Sequence, residues 1–170
     1  MALIAEQIVE EWLNRQGYFT IRGIKIGHYE IDLLALRHRR GGRPECRHIE
    51  VTASIRPIGF ISKVQVNGRA SFTAKRNEQE LKDGVKAWVD KKFFMPKKRA
   101  LMAKLWPGEW TSELVVNAVY SEAEVAMIEA TGVRVIRLPD ILAQLKADAD
   151  ELIIHGASGA DFVALVQLGK

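Results

Sequence analysis

Two short runs constrain this chain more than anything else in it. Residues 29–38 (YEIDLLALRH) are nearly apolar at their centre, and residues 46–55 (CRHIEVTASI) alternate in character. The run RRGGRPE between them supplies Gly41, Gly42 and Pro44, the chemistry of a hairpin loop. The pair reads as two neighbouring strands. Side chains alternate across a strand. Glu30, Asp32 and Leu34 therefore share one face of the first strand, and His48, Glu50, Thr52 and Ser54 share one face of the second. Carboxylates inside a sheet are costly unless something pairs with them. A divalent cation is one such partner, because two carboxylates and a backbone carbonyl make a hard oxygen shell suited to Mg²⁺. Such a metal can activate water and stabilise charge on a phosphate in transfer. Taken singly, Asp32 and Glu50 are more often structural residues than ligands. Their joint placement is what points to a metal site.

The rest of the chain surrounds these strands with helices. Ile4, Ile8, Val9, Trp12 and Leu13 recur at helical spacing, so residues 3–16 read as an amphipathic helix ended by Gly17. Residues 18–26 (YFTIRGIKI) read as a strand weakened at Gly23. Residues 56–72 carry breaks at Pro57, Gly59 and Gly68 and give no clear element. From Thr73 as N-cap, residues 74–92 predict a helix with Leu81, Val85, Trp88 and Val89 on one side. Residues 93–104 are basic and broken by Pro96, and WPGEW reads as a turn. Then follow a strand at 112–120, a helix at 121–131 opened by the Ser121/Glu124 capping box, and a strand at 133–138. A helix with Pro139 in its first turn spans about 139–149, and a short helix falls at 157–169. The expected fold is α/β, a mixed sheet covered by helices.

The length of 170 residues and the 48% hydrophobic content suit one core, so residues 1–170 are expected to form a single domain. The charged fraction of 27% opposes disorder. No apolar run approaches the ~20 residues of a membrane span, so no membrane partner is expected. The N-terminus lacks a basic segment followed by an apolar run, which predicts no secretion signal and a cytoplasmic protein. A single cysteine, Cys46, excludes an internal disulfide and a cysteine-rich zinc site, and His28, His38 and His48 lack zinc-ligand spacing. Residues 1–110 hold 21 Lys+Arg against 12 Asp+Glu, a balance of +9, whereas residues 111–170 hold 4 against 9. A basic region of this kind suits a polyanion, although it equally suits a solvated surface.

The segment GHYEIDLLAL followed by HIEVTAS resembles the core of the PD-(D/E)xK nuclease superfamily, which includes restriction enzymes and Holliday junction resolvases. The resemblance covers residues 4–55 and, by position, the helix after Thr73. It implies a restriction-endonuclease-like three-layer fold, with a central mixed β-sheet flanked by helices. It further implies DNA phosphodiester hydrolysis with Mg²⁺ or Mn²⁺, and a homodimer as in many relatives. Glu6 matches the family's helix glutamate, Asp32 its strand aspartate and Glu50 the glutamate of E-x-K. Asp32 and Glu50 would hold the metal, with Glu6 supporting a water or second metal.

Thr52 stands where the family's lysine is expected, and a threonine cannot act as a cation. Two accounts follow. Another residue supplies the cation, with Lys75 the first candidate, then Lys63, and Gln65 a weaker polar substitute. Alternatively the module binds nucleic acid or a protein partner without cutting. Candidate phosphate contacts are Arg39, Arg40 and Arg43 of the hairpin, and Lys97, Lys98 and Arg99 of the basic run. The aromatics interleaved in that run, Phe93 and Phe94, read as core residues.

Overall fold

In the computed structural model, residues 2–38, 42–52, 64–66, 69–71, 78–119 and 121–152 are described. The two diagnostic runs become β2 (Tyr29–Arg37) and β3 (Glu45–Thr52), antiparallel, with Leu33 opposite Ile49 and Leu36 opposite Cys46. β1 (Phe19–Ile26) pairs antiparallel with β2 on its other side. β6 (Trp110–Val116) then runs parallel to β3, and β7 (Arg134–Arg137) parallel to β6. The result is a mixed five-stranded sheet in the order β1-β2-β3-β6-β7. A separate two-stranded ribbon, β4 (Val64–Val66) with β5 (Arg69–Ser71), lies in the stretch the sequence left unassigned.

Helices cover both faces. α1 (Ala2–Arg15) and α5 (Leu138–Leu152) bury Val9, Leu13, Ile141 and Leu145 against Leu33, Ala35, Ile49, Val51 and Val115. Burying each such side chain contributes about 1.5–3 kcal/mol of transfer free energy. On the opposite face, α2 (Glu78–Lys92) and α4 (Glu122–Glu129) bury Leu81, Val85, Val89, Val125 and Ile128 against Leu114 and Val116. The α4 start is capped as its sequence predicts: the Ser121 hydroxyl accepts from the Glu124 amide at 3.3 Å.

One element corrects the sequence reading. Pro96 does not break a basic loop; it opens α3 (Pro96–Leu105). Proline is tolerated in the first helical turn, where its missing N–H would have no partner anyway. α3 turns Lys98 and Met102, four residues apart, inward.

Candidate functional site: a buried glutamate held by two lysines

Glu50 sits near the end of β3, on the face covered by α2 and α4, and is fully buried. By register it lies opposite Asp32 of β2, since Leu33 faces Ile49. The Asp32 Oδ2 accepts the Val51 amide at 2.8 Å, which ties the aspartate to the backbone of β3. Gly23 of β1 faces Asp32 by register from the other side and has φ +67°, a left-handed value that a side chain would resist. The backbone is thus irregular beside the aspartate.

Three donors converge on the Glu50 carboxylate. Lys98 Nζ reaches Oε1 at 2.5 Å, Lys92 Nζ reaches Oε2 at 2.7 Å, and His48 Nε2 lies 3.0 Å from Oε1. An ionised carboxylate only accepts, so His48 Nε2 is the donor. Lys98 also donates to the Lys92 carbonyl at 2.9 Å and so caps the last turn of α2. The two lysines differ in access: the Lys98 side chain is 2% exposed and that of Lys92 35%.

The charges follow from this geometry. Burial pushes the Glu50 carboxyl up, but the His48 hydrogen bond and the positive charges of Lys92 and Lys98 outweigh it and hold the group below the usual glutamate range. Burial pushes the Lys92 ammonium down, and the carboxylates of Glu50, Asp32 and Glu30 more than reverse that. Asp32 is pushed up to about 6, chiefly by burial and by the nearby Glu50, with the Val51 hydrogen bond and Lys92 opposing. Glu6 is also raised, first by burial and then by Glu30, with a smaller push from Glu50; Arg22 and Lys92 oppose. Glu6, Asp32 and Glu50 therefore lie within electrostatic reach of one another.

The placement of the other expected residues is mixed. Lys75, Lys63, Arg39 and Arg40 lie outside the described residues, as do the side chain of Gln65 and residues 157–169. Arg43, Lys97 and Arg99 are exposed, and Arg99 lies over the Phe94 ring. Lys98 is a correction: it is no surface phosphate contact but the innermost cation of the acidic site. Phe93 is buried as expected, its ring 5.2 Å from that of His48.

Lys92, Lys98 and His48 were not singled out from sequence for this site. A signal for Lys92 does exist: Leu81, Val85 and Val89 step by four along one stripe of α2, and Lys92 is three further on the same stripe. Among the described residues, no group of three or more His, Cys, Asp or Glu side chains is arranged to hold a metal ion. Asp32 and Glu50 form a two-carboxylate pair, which is what Mg²⁺ accepts, since it keeps several of its waters. Asp32, raised first by burial and then by the neighbouring Glu50 carboxylate, is an acid whose charge a cation would stabilise.

A cavity of about 950 Å³ opens elsewhere, between α1, the start of β3 and the 106–109 turn, and is lined by none of these acids. Several of its polar groups pair with one another: Arg47 and Arg134 with Glu113, and Arg37 and Tyr18 with Glu45.

No family model matches the chain, and no curated protein matches it. A crystal structure of AF1548, a protein of unknown function, matches with a TM-score of 0.41 and 16% identity over 78% of this chain. The chain spans 57% of that protein's length.

Proposed function

We propose that the protein is a metal-dependent phosphodiesterase acting on DNA, built on a restriction-endonuclease-like domain of the PD-(D/E)xK type. One observation carries the reading. The cation missing at Thr52 is supplied from another element, as Lys92 at the end of α2, 2.7 Å from Glu50 Oε2. With Asp32 alongside, this restores two carboxylates and an ammonium in one place. Asp32 and Glu50 would hold Mg²⁺ or Mn²⁺, which when bound supplies Lewis acidity and an activated water. Lys92, partly open to solvent, is the group placed to orient that water and stabilise charge on the phosphate. Lys98 neutralises Glu50 from below and keeps its carboxyl ionised. Glu6 adds negative charge at the edge. The exposed Arg43, Lys97 and Arg99 are available to a phosphate backbone.

The test is cleavage of plasmid, linear and branched DNA by the full chain with Mn²⁺. Glu50→Gln and Lys92→Ala should each lose about 100-fold or more in rate. If no substrate is cut, or both variants cut like wild type, the reading fails.

A second reading rests on a different observation: both Glu50 oxygens are already satisfied by protein donors. On that basis the cluster is a closed structural core and the module binds nucleic acid, or a protein partner, without cutting. Salt-sensitive DNA binding with no metal uptake would support it, and metal uptake lost on Asp32→Asn would count against it.

A further inference from the structure

The two oxygens of Glu50 are held in unequal ways. Oε1 takes Lys98 and His48, whose side chains are 2% and 0% exposed. Neither has anywhere to go. Withdrawing Lys98 would strand a buried ammonium and would also uncap the Lys92 carbonyl. His48 is wedged against Phe93, and its Nδ1 is buried with no hydrogen-bond partner among the described residues. A buried imidazole with one unpaired nitrogen is costly, and its only hydrogen bond among these residues goes to Glu50. Among the described residues Oε2, in contrast, is held by Lys92 alone, on a flexible stem that reaches solvent. Among the described residues Asp32 shows a similar division, with Oδ2 tied to the Val51 amide.

We propose that Lys98 and His48 are positioning residues that lock Glu50 Oε1, and that Lys92 is a resident counter-ion on Oε2 which an arriving divalent cation displaces. Glu50 Oε2 and Asp32 Oδ1 are then the oxygens offered to the metal, and the released ammonium stays at the rim of the site. This deepens the nuclease reading and rests on its metal, but predicts binding behaviour that needs no DNA.

Two measurements on the full chain test it, with Mg²⁺ alone as the probe. In the first, lysines are methylated with labelled formaldehyde and followed by NMR. Lys92 should react several-fold faster when Mg²⁺ is present, while Lys98 stays protected in both states. In the second, calorimetry follows Mg²⁺ uptake. His48→Leu should weaken uptake about tenfold, and His48→Gln, which keeps a donor for Oε1, should restore it, as expected for a residue that orients a ligand. Mg²⁺ uptake with no change at Lys92 would overturn the displacement while leaving the nuclease reading intact. Wild-type uptake by His48→Leu would overturn the lock. Absence of Mg²⁺ uptake by the wild type would overturn the proposal together with the metal on which it rests; DNA cleavage then decides the nuclease reading separately.

Discussion

Two glutamates lie buried in neighbouring strands of this sheet, on opposite faces, and they are held differently. Glu113 of β6 is 3% exposed and takes the Arg47 guanidinium through Nε at 2.8 Å and Nη2 at 2.5 Å, both on Oε2. That guanidinium lies 5.0 Å from the Trp12 and Tyr18 rings, which hold it by cation–π contact. Glu50 of β3 instead takes two lysines and a histidine, with two further acids in electrostatic reach. An arginine at such a site is planar, always charged and fixed in place, whereas a lysine is a point charge on a flexible stem. Arg47 fixes Oε2 of Glu113, while Oε1 lies 3.8 Å from the exposed Arg134. The second has one partner, Lys92, on a flexible and partly exposed stem, beside an aspartate raised first by burial and then by Glu50. Burial of an ion pair therefore does not by itself distinguish the two sites; they differ in the flexibility of the cation and in the raised acid beside it.

The largest expected effect is on the Arg47–Glu113 pair. Glu113→Ala leaves Arg47 buried without its partner and should cost about 3–5 kcal/mol in urea unfolding. The double change Arg47→Met with Glu113→Leu should recover most of that loss. If the single change costs under about 1 kcal/mol, the pair is not a structural lock and the contrast collapses.

Lys92→Ala should split activity from stability. DNA cleavage should fall about 100-fold, equivalent to about 2.7 kcal/mol of transition-state stabilisation. Thermal stability should fall by about 1–3 kcal/mol, the cost of leaving the buried Oε2 without its donor, because Lys98 and His48 still hold Oε1. A larger loss of stability would make this site as structural as the Arg47–Glu113 pair.

Asp32 provides a pH test. Its folded-state value of about 6 lies above the ordinary 3.8, so between those limits the native protein binds more protons than the unfolded chain. Stability from this group is therefore full below about pH 4 and is lost as pH rises through 6, by about 2–3 kcal/mol. Glu50, held low, acts in the opposite sense and loses its contribution as pH falls below 4.5. The difference between wild type and Asp32→Asn isolates the aspartate: the variant should be the more stable at pH 7.5 and lose the advantage by pH 4. Saturating Mg²⁺ should reduce the advantage, because a bound cation stabilises the ionised aspartate.

The smallest effects belong to the surface. Alanine at Arg43, Lys97 or Arg99 should lower the salt slope of DNA binding by about 1 each, with unchanged stability. Alanine at Lys98 is different in kind, since that side chain is buried on Glu50; it should destabilise the fold by several kcal/mol.

Some of this was legible without coordinates. The helix at the N-terminus, the hairpin, the capped α4 and the β7–α5 unit all follow from local patterns, with boundaries off by a few residues. Alternation groups Asp32 with Glu30 and Leu34 on one strand and Glu50 with His48 and Thr52 on the next; the register then sets the two groups side by side. The basic run was harder to read. Without knowing that Pro96 opens a helix, Lys97, Lys98 and Arg99 look alike; with α3 formed, helical spacing sends Lys98 inward and leaves its neighbours in solvent.

The acidic side of the site is legible in part from sequence, because period-two alternation groups the polar residues within each strand, but the register that sets Leu33 opposite Ile49 brings Asp32 to Glu50. The basic side is a property of tertiary structure. Lys92 and Lys98 lie 42 and 48 residues beyond Glu50, and no local pattern relates them to it. Only packing of the α2 end and α3 over β3 brings the ammonium groups to that carboxylate. The same packing decides which of them is sealed in and which remains free to move.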